Sequence, residues 1–139
     1  MNYLLDTCVI SELARRQPNP QVVGWVDNVD EQSLYLSVIT IGEVRKGIEK
    51  LTDLQRKATL EKWLNDELLA RFAGRILPIE VDTMLRWGTL TGQLEMQGKV
   101  MPAIDSLIAA TALEGDLILV TRNESDFRFA EALVLNPWK

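Results

Sequence analysis

The sequence predicts an α/β fold, a single-domain α/β/α sandwich over residues 1–139 with a central, mainly parallel sheet of about five strands. Three observations predict it. Short apolar runs alternate with helical periods along the whole chain, the pattern of strands returned by crossover helices. A length of 139 residues suffices for one domain with a real core. Apolar residues at 47% and charged residues at 25% match a soluble globular protein, and no Pro/Gly/Ser-rich linker divides the chain.

Each element has its own warrant. Tyr3-Leu4-Leu5 is a short strand that ends on Asp6. Thr7 to Leu13 then turns into a helix, with Ser11 to Arg16 helical. Gln17-Pro18-Asn19-Pro20 breaks the chain. Val22, Trp25, Val26 and Val29 recur at helical spacing within Gln21–Val29. Leu34 to Ser37 is the second strand. Thr40 and Glu43 have capping-box spacing, so a helix running towards Leu51 should open there. Leu54 to Phe72 places Leu60, Trp63, Leu64 and Leu68 on one helical face, and Gly74 ends it. Arg75 to Ile79 is a strand, at an edge because Pro78 cannot donate to a ladder. Val81 to Gln97 is a helix with two apolar faces. One carries Val81, Met84, Leu85, Gly88 and Gly92; the other carries Trp87, Leu90, Thr91 and Leu94. One face should meet the sheet and the other a second subunit, with Trp87 and Leu94 at that interface. Pro102 marks the start of a helix from Ile104 to Glu114. Leu117 to Val120 is the most apolar strand and is expected at the centre. A loop with a helical turn follows from Thr121 to Phe129, and Ala132 to Leu135 is the last strand.

Absences narrow the chemistry. There is no histidine, which removes the usual general base and the commonest zinc ligand. One cysteine, Cys8, excludes an internal disulfide and a thiolate cluster and suits a reducing cytoplasm. Cys8 reads as a small buried apolar residue. No apolar run is long enough to span a membrane, and no signal peptide opens the chain. A net charge of −5 argues against a nonspecific nucleic-acid coat protein while leaving room for a local basic rim.

In an open parallel sheet, strand C-termini and the N-termini of the returning helices share one edge, where ligands bind. Asp6 closes the first strand, and Glu43 begins the helix after the second. Asp105 begins the helix before the fourth, and Asn123 and Asp126 follow the fourth. All five fall on that edge. Taken singly, Glu43 is a capping partner, Asp105 a helix-dipole partner and Asp126 a turn residue. Asp6 has the least structural use. Carboxylates held together repel and raise one another's pKa unless a cation sits among them. Oxygen donors without His or Cys suit Mg²⁺ or Mn²⁺, and the usual work of such a site is phosphodiester hydrolysis.

Four stretches resemble the motifs of PIN domains in order: Leu5-Asp6-Thr7 through Leu13, Ser37 through Gly47, Asp105 through Ala112, and Thr121 through Phe127. The similarity extends to VapC-type toxins of bacterial toxin–antitoxin pairs, and among them to a FitB-like branch, through Pro18-Asn19-Pro20, Phe72 to Pro78 and Asn136-Pro137-Trp138. The resemblance implies a Mg²⁺-dependent endoribonuclease, the toxin of a type II toxin–antitoxin system, working in the cytoplasm as a homodimer. It also implies a cognate antitoxin whose C-terminal segment covers the site, in a larger complex. Carried over by position, Asp6, Glu43 and Asp105 are the core metal-binding acids. Either Asn123 or Asp126 completes the set, and Cys8 replaces a more usual Asn. Thr7, Thr40, Arg45, Lys46 and Arg122 are candidate contacts to RNA or antitoxin. Arg15, Arg16, Lys50 and Arg86 are further cations that could hold phosphates.

Three other classes compete. An aspartyl phosphatase with Asp6 as nucleophile would want a second Asp where Cys8 stands. A receiver-like signalling domain would want a phosphoacceptor Asp where Pro78-Ile79-Glu80 stands. A PIN scaffold that binds RNA and antitoxin without efficient cleavage is the remaining alternative.

Overall fold

Five parallel strands form the middle layer of the computed structural model, which describes residues 1–139. They are β1 (Tyr3–Leu5), β2 (Leu34–Ser37), β3 (Ile76–Leu77), β4 (Ile118–Val120) and β5 (Val134–Leu135), in the order β3-β2-β1-β4-β5. Tyr3 pairs with both Leu34 and Ile118, which puts β1 at the centre. The centre was expected at the more apolar β4, which instead lies between β1 and β5. Apolarity marks burial on both faces, and any interior strand of a covered parallel sheet meets that condition. β3 is an edge strand, as Pro78 predicts.

Successive residues of a strand point to opposite faces. Leu5 accordingly joins one core, with Val9, Ile10, Val22, Leu36, Leu64 and Phe72. Leu4 joins the other, with Leu94, Ile108, Ala109, Ala112 and Leu119. The first face is covered by α1 (Thr7–Leu13), α2 (Pro20–Asn28), α3 (Val38–Glu49) and a long rod. That rod begins as α4 (Leu54–Lys62), passes through a π-helical stretch at Trp63–Leu68 and ends as α5 (Leu69–Arg71). The second face is covered by α6 (Val81–Met96) and α7 (Ala103–Glu114). No helix is long and apolar enough to cross a membrane.

Two expectations about helices change. α3 opens at Val38 with Ser37 as its cap, the Ser37 hydroxyl accepting from Ile39 N–H at 3.1 Å. The Thr40–Glu43 pair is therefore not a capping box, and both side chains are free to point elsewhere. In α6, Leu94 is buried and Trp87 donates its indole N–H to Ser106 Oγ at 2.9 Å, so the Trp87–Leu94 face packs on α7. The face left open is the other one, with Val81 75% and Leu85 65% exposed beside Met84.

Two carboxylates anchor loops to the first face. Buried Glu12 accepts from Asn19 N–H at 3.0 Å and from Arg15 at 3.3 Å, which holds the Pro18–Pro20 turn. The Asn19 amide first, and then Arg15, hold its carboxyl below the usual range near 4.5. Arg71 first, and then Arg75, do the same for Glu31. A carboxylate depressed in the folded state adds stability above its ordinary pKa and loses it as pH falls through the folded value. The urea midpoint should therefore fall as pH drops from neutral to below 4.5, and Glu12→Gln should start lower at pH 7 and show a smaller fall. An identical fall in both proteins would show that Glu12 plays no part in the acid sensitivity.

Candidate active site

Asp6 sits where β1 gives way to α1, and this position explains its buried carboxylate. Its backbone N–H extends the β1–β4 ladder to Val120 O at 2.9 Å. Its side chain then caps α1, with Oδ1 accepting from Thr7 N–H at 2.8 Å. Oδ2 accepts from the hydroxyl of Thr121 at 2.7 Å. Thr121 is fully buried, directly follows β4, and also accepts from Asn123 N–H at 3.1 Å. One threonine thus fixes both the acid of the first strand and the loop after the fourth. No composition or spacing rule singled it out, because a lone Thr after a strand carries no chemical signature.

Glu43 is held from the opposite side. Thr7 Oγ1 donates to Glu43 Oε1 at 2.5 Å and lies 3.0 Å from Thr40 Oγ1. Of the two threonines read as contacts to RNA or antitoxin, Thr7 therefore binds Glu43 across α1 and α3, and Thr40 bonds to the Thr7 hydroxyl. Cys8 is half-buried rather than a core residue. Its thiol lies 3.7 Å from Asp6 Oδ2, and its sulfur accepts from Arg122 N–H at 3.5 Å. Burial pushes the thiol pKa up.

Asp105 stands in the first turn of α7, half-buried. Its carboxyl is raised above the ordinary range, chiefly by burial and then by the negative charges of Asp126, Asp6 and Glu43. The four acids thus share one electrostatic neighbourhood. None of them takes part in an ion pair. In the last loop, the Asp126 carboxylate is one of the charges that raise Asp105. Asn123 is exposed, with no hydrogen bond to its side chain, and its carbonyl accepts from Asp126 N–H at 3.0 Å. No three acids already stand close enough together to close on one ion. The donor set is nonetheless all oxygen, and Asp105 and Asp126 both retain exposed surface. These are donors that fit a hard divalent cation.

The predicted cations separate. Arg45 is paired with Glu49 at 2.8 Å and Glu61 at 3.4 Å on the exposed α3–α4 surface. Arg86 pairs with Glu114 at 3.3 Å, and Arg15 pairs with Glu12 at 3.3 Å. Lys46 and Arg122 are exposed and in no ion pair. Arg122 instead stacks on Trp138, its guanidinium 5.5 Å from the ring centroid.

The PIN domain family model matches residues 3–132. The chain is 40% identical over 135 residues to Toxin FitB of Neisseria gonorrhoeae, covering 97% of each protein. It is 37% identical over 136 residues to VapC ribonuclease Y4jK of Sinorhizobium fredii, covering 98% of this chain and 97% of that one. The crystal structure of FitAcB from Neisseria gonorrhoeae superposes with a TM-score of 0.92 at 40% identity, covering 98% of both chains.

Proposed function

This chain belongs to the PIN domain family, and we propose that it is the ribonuclease toxin of a toxin–antitoxin pair, cutting RNA phosphodiesters with a divalent metal held by Asp6, Glu43, Asp105 and Asp126. The observation that carries this reading is the placement of Asp6, Glu43, Asp105 and Asp126 at one sheet edge with no cationic side chain paired to any of them, where burial first and then the charges of the other three raise the Asp105 carboxyl. Such a cluster is costly without a cation and is relieved by one. Mg²⁺ or Mn²⁺ is the class of ion that an all-oxygen set selects. When bound, it supplies Lewis acidity towards a phosphoryl oxygen.

The chain's own groups do the positioning. Thr7 N–H and the Thr121 hydroxyl hold both oxygens of Asp6, and the Thr7 hydroxyl holds one oxygen of Glu43. Asn123 lies beside the site as an added oxygen donor. Lys46 and Arg122 offer unpaired positive charge to the phosphates of the entering strand.

Purified chain, freed of any bound antitoxin, should cut a structured RNA pool in Mg²⁺ or Mn²⁺. Cleavage should stop with excess EDTA and return when metal is restored. Cutting that persists in EDTA would remove the metal from the reaction. RNA that is bound but never cut would leave the non-cleaving scaffold as the reading.

The partner proteins follow from the same family. Toxin FitB is a toxin by name, and a cytoplasmic antitoxin that covers the acid cluster is the expected counterpart here. A homodimer is proposed through the open face of α6, where Val81, Met84 and Leu85 remain exposed. Leu85→Glu should lower the mass seen in light scattering without changing the melting temperature of the protomer. An unchanged mass would place the interface elsewhere.

A further inference from the structure

A groove of about 440 Å³ opens beside the loop that follows β4, and its walls include Glu12, Arg15, Pro18, Asn19, Arg122 and Trp138. The C-terminal tail that carries Trp138 is held by side-chain bonds. Asn136 Oδ1 accepts from Trp138 N–H at 2.9 Å, and Asn136 Nδ2 donates to Glu124 Oε2 at 3.0 Å. Lys139 pairs with Glu124 at 2.8 Å. These bonds pin the indole against the Arg122–Glu124 loop, and part of the ring packs on the first core. The cations on the wall differ. Arg15 is paired with Glu12, whereas Arg122 has no carboxylate partner and its guanidinium carbon lies over the indole, 5.5 Å from the ring centroid. An unpaired guanidinium supported by an aromatic ring, in a chain of net charge −5, is complementary to a nucleotide: a base for the plane and a phosphate for the charge.

We propose that the Arg122–Trp138 stack is a nucleobase platform that seats one base of the RNA strand beside the bond to be cut. Arg122 directly follows Thr121, whose hydroxyl holds Asp6 at 2.7 Å. The platform therefore sits on the same loop whose first residue fixes Asp6. The platform rests on the reading that RNA is the substrate. It adds a position at which the strand is read by stacking, which tolerates every base.

The test scans a single-stranded oligoribonucleotide with one abasic site moved along it. Kd is measured in EDTA, and cleavage is measured in Mn²⁺. For the unaltered protein, one abasic position flanking the cleaved bond should weaken binding about tenfold. Arg122→Lys keeps the charge and loses the plane. It should weaken the intact strand about tenfold and then be indifferent to that same abasic position. Trp138→Phe, which retains a ring, should fall between the two, and its melting curve reports whether the tail stays docked. A flat abasic profile in protein that still cuts would overturn the platform and leave the nuclease standing. A single sensitive position in protein that binds but never cuts would do the reverse. Variants that lose affinity only for the antitoxin would give the groove to the protein partner and overturn the proposal.

Discussion

Asp6→Asn is expected to lower RNA cleavage about 10²–10³-fold, the usual scale for losing one preorganised electrostatic group, while leaving the fold in place. The asymmetry comes from the two jobs of this side chain. As the cap of α1 it needs only one acceptor oxygen, which asparagine retains, and Asn and Asp are near-equal caps. As a member of the acid cluster it needs its charge, which asparagine lacks. The Thr121 hydroxyl can rotate to accept from the new amide and turn its proton to the Cys8 sulfur, 3.5 Å away. Single-turnover cleavage and thermal melting separate the two effects. Cleavage within threefold of the parent would take Asp6 out of the chemistry, and a collapsed melting temperature would show that its structural role dominates.

Arg75→Met should cost about 3 kcal/mol of stability, a large share of the roughly 5–15 kcal/mol typical of a domain. Arg75 is only 7% exposed. Its guanidinium donates to Glu31 O at 2.6 Å, Leu34 O at 2.7 Å, Glu31 Oε2 at 2.9 Å and Arg71 O. It also lies 4.9 Å from the Phe72 ring centroid. One side chain therefore ties the end of the α4–α5 rod to the strand β2 that leads into α3 and Glu43. Methionine fills much of the volume but leaves those carbonyls without a donor. The Glu31 pair is half exposed, so most of the loss lies in the carbonyls rather than in the ion pair. The melting temperature should fall by about 10 °C. A drop below 2 °C would mean that water replaces the guanidinium at little cost.

Much of the fold follows from local signals. The strand Leu34–Ser37 has the predicted bounds, and Gly74, with φ of 82°, ends its helix as expected. The side chains that assemble the site were harder to read. Asp6 was legible because a buried strand rarely ends on an acid without reason. Ser37 outcompeted Thr40 as a cap because caps act on the two or three amides beyond them, and both residues satisfy that pattern on paper. The buried face of α6 could not be chosen from periodicity, since two apolar stripes look alike until Ser106 answers the Trp87 indole. Arg75 and Thr121 lie inside stretches that carry the resemblance, but nothing local gives their roles, because partners such as Leu34 and Asp6 arrive only with the fold. The tie from Arg45 to Glu49 follows from spacing, but the second tie to Glu61 arrives only when α3 and α4 pack.

The pairing of β1 with β4 also sets a timetable. Asp6 is made early in translation, whereas Val120 and Thr121, which receive its amide and hold its carboxylate, are made late. Contacts so distant in sequence close only after most of the chain exists. A nascent chain still short of Thr121 carries Asp6 without its fixed geometry. The ribosome therefore releases a protein whose acid edge assembles near the end of its synthesis, and a prematurely terminated fragment lacks that edge altogether.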